Sequence, residues 1–145
     1  MNWRQEIPAG VSMAGFATPG EALFDYAQNK TGIFGIVGYP FFWGYHNLLF
    51  GENANISAID GINASGVPVM VVHGTEDQTL RYDRCGIIAH QAQITSPNVL
   101  YVTRGGEGQN GHSNFRFSEE APAFTQLDTA LFEEIDRFYE AALVA

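Results

Sequence analysis

Cysteine and basic residues are both scarce in this chain of 145 residues. Cys85 is its one cysteine, which excludes an intrachain disulfide framework and suits a reducing compartment. Seven Lys and Arg stand against sixteen Asp and Glu, for a net charge of −9, and the basic residues do not cluster. Nucleic acid and anionic membrane surfaces are therefore poor candidate partners. These absences predict a cytoplasmic protein in which Cys85 is a small apolar residue rather than a reactive thiol.

An uninterrupted apolar run long enough to cross a membrane is also missing. Residues 33–50 come closest, but three glycines, a proline and a histidine interrupt them, so we predict no membrane span. The first ten residues, MNWRQEIPAG, lack the apolar centre of a signal peptide. The composition, 46% apolar and 13% aromatic, is instead typical of a globular domain with its own core.

Strand-like and helix-like segments alternate along the chain. The near-continuous apolar run 67–73 fits a strand that is covered on both faces. Thr18 and Pro19 are residue types that begin a helix, and residues 124–142 carry apolar side chains at spacings of three and four. The predicted strands are 7–17, 67–73 and 99–103, and the predicted helices begin at Thr18 or cover 55–65, 81–94 and 124–142. This order predicts an α/β fold, with a parallel sheet of about three strands flanked by helices.

Aromatic residues crowd into the segment 32–51. Two interpretations stay open for it. It is either a helical insertion whose aromatic side chains pack against the body of the protein, or a helical lid whose aromatic side chains line a substrate pocket. A lid of this kind would suit an apolar acyl or aryl group.

Asp77 and His112 each follow a predicted strand. In open parallel sheets, ligands bind beyond the carboxyl ends of the strands, so both side chains are expected at the same edge of the sheet. A carboxylate there can hold one imidazole nitrogen, which fixes the tautomer and orientation while the other nitrogen acts as a base. The pair is therefore a candidate acid–base site.

The segments VPVMVVHGTEDQTL, NVLYVTR and NGHSNF, with a predicted helix after the first, resemble the C-terminal half of the α/β-hydrolase superfamily. In that family the triad acid follows the penultimate core strand, and the histidine lies in a loop after the last strand. The resemblance implies that Asp77 is the triad acid and His112 the general base. The upstream GFATPGEAL and the aromatic segment resemble the strand after the nucleophile, followed by a lid. Residues 1–145 would then form a single domain or domain fragment, with a lid-like region at about 18–65 and the acid- and histidine-bearing core at 66–145.

The nucleophile of that family is a serine in G-x-S-x-G, at a sharp strand-to-helix turn. The sequence holds no complete G-x-S-x-G. Its nearest segment is GVSMA, centred on Ser12, but largely polar residues precede this segment, and Gly15 and Pro19 oppose a helix directly after it. Ser113 also lacks the closing glycine. We therefore predict that Ser12 is an ordinary strand residue and that the chain carries no nucleophilic serine.

Other residues near the motif allow alternatives. Glu76 could replace Asp77 as the acid, although the family segment favours Asp77, and His73 is predicted to be buried within its strand. A metal site built from His73, His112 and the two carboxylates matches no recognised ligand spacing. The glycine-rich loop 104–111 lacks the phosphate-loop pattern, which argues against a nucleotide-binding domain. Neither a metal nor another cofactor is predicted.

The resemblance implies the C-terminal part of a serine hydrolase that acts on esters or related acyl bonds through an acyl-enzyme. It would supply the acid and base, and it would have little activity alone because the nucleophile is absent. Its first strand, near residues 10–16, would have lost a neighbour, and such an edge can pair with a second copy or with a complementary half. The alternative is a non-catalytic α/β-hydrolase-like module for binding or self-association.

Overall fold

The fold is a three-stranded parallel sheet with helices on both faces, which confirms the α/β prediction at that level. A computed structural model describes residues 7–118 and 125–144. The strands are β1 (Gly10–Met13), β2 (Val69–Gly74) and β3 (Val99–Arg104), in the order β1-β2-β3. Both strand pairs are parallel. The three predicted strands are therefore present, with β1 shorter than expected and at one edge of the sheet.

The central strand β2 is buried along its whole length. Its side chains alternate between two apolar cores, because successive residues of a strand point to opposite faces. Val69 and Val71 pack with residues of the helical segments on one face, whereas Met70 and Val72 pack with the C-terminal helix on the other. This two-sided burial explains why the sequence of β2 is almost uninterruptedly apolar.

In the described part of the chain, four α-helices cover or extend from the sheet: α1 (Pro19–Thr31), α2 (Ile33–Phe50), α3 (Ala58–Ser65) and α4 (Thr129–Val144). Thr18 caps α1 as predicted, since its hydroxyl accepts a hydrogen bond from the Glu21 N–H at 3.2 Å. Asp128 accepts from the first N–H groups of α4, and the helix buries Leu131 and Ile135 against β2. The prediction for α3 is also confirmed. Residue 124, where we predicted α4 to begin, lies outside the described residues, and α4 begins at Thr129, so the predicted start is too early.

The helix predicted at residues 81–94 is wrong. Turns lead instead into a 3-10 segment at Ile87–Gln93. The backbone explains the difference: Cys85 O accepts from Ala17 N at 2.8 Å, and Ile87 N donates to Gly15 O at 3.0 Å. These groups pair with the chain after β1 and so cannot pair within a helix. Cys85 is buried as predicted.

The aromatic segment forms α2, an 18-residue helix that follows α1 directly. Tyr39 attaches it to α1, with its ring centroid 4.7 Å from that of Phe24. Most other aromatic side chains of α2 are exposed, Phe34 and Phe41 by about four-fifths. A helix is therefore confirmed, but the expectation that its aromatic side chains pack against the body is wrong for most of them. No helix of the described residues is both long and apolar enough to cross a bilayer.

Candidate acid–base site

Asp77 lies three residues beyond β2 and is buried, with 2% of its surface exposed. One carboxylate oxygen, Oδ1, accepts hydrogen bonds from the N–H groups of Thr79 at 2.7 Å and Leu80 at 2.9 Å. The other, Oδ2, lies between two imidazoles, 2.8 Å from Nδ1 of His112 and 3.2 Å from Nε2 of His73. Burial raises the pKa of Asp77, but the hydrogen bonds from both histidines and both N–H groups outweigh it and lower the pKa to about 2. The side chain is therefore a carboxylate at neutral pH.

His112 lies in the loop after β3, where its imidazole reaches across to the end of β2. Because a carboxylate oxygen only accepts hydrogen bonds, the contact to Asp77 places a proton on Nδ1 of His112. In the neutral ring this leaves a lone pair on Nε2. The side chain of His112 is 37% exposed, and no described residue makes a hydrogen bond to Nε2. The structure thus brings together the two residues that the sequence analysis selected and leaves the second nitrogen open.

His73 contacts the same carboxylate from within β2. Its side chain is fully buried, as predicted, and Nε2 lies 2.8 Å from the carbonyl oxygen of Leu80 as well as 3.2 Å from Asp77 Oδ2. Both of these atoms are acceptors, so Nε2 carries the proton and donates to both. Nδ1 is buried and has no hydrogen-bond partner among residues 7–118 and 125–144. The apolar character of β2 signalled the burial of His73, but no sequence signal showed that it would orient the acid.

Close backbone contacts hold the His112 loop against the end of β2. A Cβ atom at Gly74 would lie 2.5 Å from the carbonyl oxygens of Asn110 and Gly111, so only glycine permits this approach. The N–H of Glu76 donates to Asn110 O at 2.7 Å. These contacts fix the loop directly before His112, which sets the distance between His112 and the acid.

A buried polar cluster anchors the same loop at its other side. Gln109 is 7% exposed and donates from Nε2 to the carbonyl oxygen of Phe117 at 2.6 Å. Its Oε1 accepts from Arg104 at 2.6 Å, and Arg104 also forms an ion pair with Asp128. The sequence analysis missed this cluster because a glutamine in a glycine-rich loop carries no signal of burial, and because Asp128 lies 24 residues after Arg104.

Among the described residues, neither Ser12 nor Glu76 makes a hydrogen bond to the imidazole of His112. Ser12 pairs with Val71 in the sheet, and its hydroxyl lies close to Gly15. In the described part of the chain, no hydrogen bond joins Ser12 to either member of the acid–base pair. Glu76 is exposed, so Asp77 rather than Glu76 is the carboxylate that contacts His112.

A shallow apolar cavity of about 380 Å³ adjoins the loop that holds the acid. Phe16, Leu23 and Tyr26 line it on one side, and Thr79 and Leu80 line it on another. Thr79 and Leu80 are also the residues whose N–H groups bind the carboxylate of the site. The cavity and the acid therefore share one loop.

A second buried carboxylate ties α1 to that loop. Asp25 pairs with the guanidinium of Arg81, and Arg84 lies 3.1 Å from the same carboxylate. The hydrogen bond from Arg81 lowers the pKa of Asp25 below its usual value, against the effect of burial. Burial, followed by the charge of Asp25, raises the pKa of the neighbouring Cys85 to about 11. Cys85 is thus a thiol at neutral pH rather than a reactive thiolate.

Within residues 7–118 and 125–144, no group of three His, Cys, Asp or Glu side chains is arranged to hold a metal ion. Comparisons of the chain with models of protein families, with curated proteins and with solved structures found no match.

Proposed function

We propose that Asp77 and His112 are the acid and the general base of a serine-hydrolase-type site in an α/β-hydrolase-like domain. The observation that carries this proposal is the 2.8 Å contact between Asp77 Oδ2 and His112 Nδ1, with Nε2 of His112 left open. The contact lies at the carboxyl ends of adjacent parallel strands, where ligands of open α/β sheets bind. The substrates we propose are esters or related acyl compounds.

The chemistry begins when Nε2 of His112 removes the proton of a serine hydroxyl, whose oxygen attacks the acyl carbon. The imidazolium that forms is stabilised by Asp77, which stays ionised because its pKa is about 2. Collapse of the tetrahedral intermediate breaks the bond to the leaving alcohol, and the alkoxide takes the proton from Nε2. Water then repeats these steps on the acyl-enzyme and regenerates the serine.

The serine in this proposal comes from a segment other than residues 7–118 and 125–144. Ser12 is a strand residue without a hydrogen bond to His112, and its hydroxyl lies beside Gly15. We therefore expect residues 1–145 to have little hydrolase activity by themselves. A segment that carries G-x-S-x-G beside β1 would complete both the sheet and the site, since β1 lies at an edge of the described sheet.

The helices α1 and α2 would act as the lid of this site. The apolar cavity of about 380 Å³ between α1 and the Thr79–Leu80 loop supports this role, because the N–H groups of that loop bind the acid and most of the lining side chains are apolar. Its apolar lining favours an acyl or aryl group over a charged substrate.

A second candidate is a non-catalytic module that keeps the hydrolase-like sheet for binding or self-association. The bonding of Asp77 favours it, because the acid also closes the turn after β2 through the N–H groups of Thr79 and Leu80. A residue with that structural role is needed whether or not the site is catalytic.

The experiment that tests the proposal joins the chain to the sequence encoded directly upstream of Met1 and measures hydrolysis of p-nitrophenyl esters. Asp77→Asn and His112→Ala are each expected to lower kcat/KM by about 10³-fold or more, since members of a triad act as a unit. Glu76→Gln and His90→Ala are matched controls. The first converts a carboxylate to an amide and the second removes an imidazole, both outside the pair, and each should leave kcat/KM unchanged.

Three outcomes contradict the proposal. Hydrolysis that neither Asp77→Asn nor His112→Ala affects would exclude the pair as acid and base, and a joined protein without activity would favour the non-catalytic module. The third is stoichiometric labelling of residues 1–145 by a fluorophosphonate probe, if Ser12→Ala abolishes the labelling. In that case Ser12 would be the nucleophile, and no further segment would be needed.

A further inference from the structure

One side of α2 carries apolar side chains that reach into solvent. Phe34, Phe41 and Leu48 recur at intervals of seven residues and are 79%, 80% and 81% exposed. Val37 and Tyr45 lie between them and are 65% and 62% exposed. Because residues three, four and seven apart share one side of a helix, these five residues form a continuous stripe, here called the α2 stripe.

The opposite side of α2 is already packed against α1. Gly35 lies so close to α1 that a Cβ atom there would be 2.3 Å from the carbonyl oxygen of Ala27. The ring of Tyr39 contacts Phe24, and its hydroxyl donates to Gly20 O at 3.2 Å. A helix that is apolar on every side is ordinarily buried on every side. The composition of α2 therefore predicts that another surface packs against the α2 stripe.

We propose that the α2 stripe is the interface of a homodimer, in which the stripe of one copy packs against the same stripe of a second copy. This proposal is independent of the proposed function. The seven-residue interval of Phe34, Phe41 and Leu48 is the spacing of a helix–helix seam, where each side chain fits between residues of the facing helix. Gly44 lies in the same seam with open space around it, which leaves a recess for a side chain of the second copy.

Charge favours a second copy at this surface. Residues 33–50 contain no Asp, Glu, Lys or Arg, although the chain as a whole has a net charge of −9. Two copies repel each other over most of their surfaces, and this repulsion is smallest where each presents an uncharged helix. A two-fold axis through the stripe also closes the assembly, since both copies use the same surface.

The exposed area of the stripe is close to what a stable dimer requires. Since a buried aromatic side chain covers about 150–250 Å², the three aromatic side chains of the stripe, which are about three-quarters exposed, offer roughly 300–550 Å² in each copy. Val37 and Leu48 bring this area towards the 800 Å² or so per partner of a standard interface. The flanking residues Ile33 and Leu49, which are 64% and 56% exposed, lie beside the stripe and add to this area.

A lipid surface fits the α2 stripe less well. Helices that bind membrane interfaces carry Lys and Arg on the side opposite their apolar residues, and α2 has none. The net charge of −9 also opposes an anionic bilayer.

The test measures the mass of the 145-residue chain by size-exclusion chromatography with light scattering, together with two variants. Phe41→Glu adds a charge within the stripe, at a side chain that is 80% exposed. Phe50→Glu makes the same substitution on the opposite side of α2, at a side chain that is 54% exposed, and is the matched control. The expected result is twice the monomer mass for the unmodified chain and for Phe50→Glu, and the monomer mass for Phe41→Glu.

Leu48→Glu repeats the test at a second position of the stripe, so a folding defect in Phe41→Glu, detected by circular dichroism, leaves the test intact. A monomeric unmodified chain overturns the proposal. If this monomer also sediments with phosphatidylcholine vesicles, the stripe binds lipid rather than a second copy. Dimers in all variants place the interface elsewhere, for example at the edge of β1. Equal loss of the dimer in the stripe variants and in Phe50→Glu also overturns it, because the effect would not depend on the stripe.

Discussion

The end of β2 buries polar side chains, whereas the helix α2 exposes large apolar side chains. At the end of β2, a carboxylate and an imidazole are buried, and Asp77 has four hydrogen-bond donors around it. In α2, large apolar side chains such as Phe41 and Leu48 are four-fifths exposed. Burying a charge is costly unless it is paired, and exposing a large apolar patch is unusual for a free surface. The polar groups at the end of β2 thus have hydrogen-bond partners within the chain, whereas the exposed apolar side chains of α2 can be covered by a second molecule.

The contrast has a consequence for mutational sensitivity. Substitutions at the end of β2 should change the stability of the chain itself, whereas substitutions in the α2 stripe should change its association. The four predictions that follow test this separation, from the largest expected effect to the smallest.

Asp77→Ala is expected to have the largest effect. It leaves His112 and two backbone N–H groups without their acceptor and removes one of the two acceptors of His73, and each buried donor left without an acceptor costs about 1–3 kcal/mol. Urea unfolding at pH 7 measures the change. Glu76→Ala is the control, since Glu76 is exposed and should change the free energy of unfolding by less than about 0.5 kcal/mol. Equal effects at the two positions would contradict the role of Asp77 in the buried network.

Gly74→Ala should have the next largest effect. Its Cβ atom would meet the carbonyl oxygens of Asn110 and Gly111 at 2.5 Å, and relief of such overlap costs about 1–3 kcal/mol. Displacement of the loop should also weaken the His112–Asp77 hydrogen bond, which the NMR signal of the Nδ1 proton reports.

Gly61→Ala is the matched control for this change. Gly61 lies within α3 with nothing near its missing side chain, and alanine there should stabilise the helix by about 0.5–1 kcal/mol. If Gly74→Ala is as well tolerated as Gly61→Ala, then the close approach of the loop to β2 is not needed for stability.

Acid should remove the contribution of Asp77 to stability. Because the folded-state pKa of about 2 lies below the ordinary value of 3.8 for an aspartate, the unfolded chain takes up the proton first as the pH falls. Stability from this group is present above about pH 4 and is lost towards pH 2, by about 2 kcal/mol in all. The difference in free energy of unfolding between the unmodified chain and Asp77→Asn should shrink by that amount from pH 5 to pH 2. A constant difference would show that the pKa of Asp77 is not lowered in the folded state.

Leu48→Ala should have the smallest effect on stability. Leu48 is 81% exposed, so its truncation should change the free energy of unfolding of the monomer by less than about 0.5 kcal/mol. Leu131→Ala removes the same atoms from a side chain that is 1% exposed, and it should cost about 2–5 kcal/mol. Unfolding at concentrations low enough to prevent association compares the two. Similar losses would mean that α2 contributes to the core and would remove the contrast between the regions.

The sequence contained enough information for the sheet and for the pairing of Asp77 with His112. The apolar run of β2 reflects burial on both faces, and parallel strands bring the residues after their carboxyl ends to one edge. The sequence could not show whether Phe34 and Phe41 are buried or exposed, because an apolar helix has the same pattern in both cases.

Contacts between distant segments account for the features that the sequence analysis missed. The segment around Cys85 reads as a helix, but its backbone pairs with the chain after β1. Gln109 reads as a loop residue, but it is buried beside Arg104 and Asp128. In each case the deciding partner lies elsewhere in the sequence, and local propensity does not report it.

The attachment of the His112 loop suggests where this site could acquire new specificity. Backbone groups hold the loop at both ends, through Thr75 N to Arg104 O at 2.9 Å and Glu76 N to Asn110 O at 2.7 Å. Between them, Glu107 and Gly108 are exposed, and Gly108 has no neighbour within 4 Å of its missing side chain. Insertions between Glu107 and Gly108 should therefore leave His112 in place, because the two backbone attachments and the buried side chain of Gln109 lie outside the inserted segment. A longer loop at this point would change the residues that surround Asp77 and His112 without changing these two residues themselves.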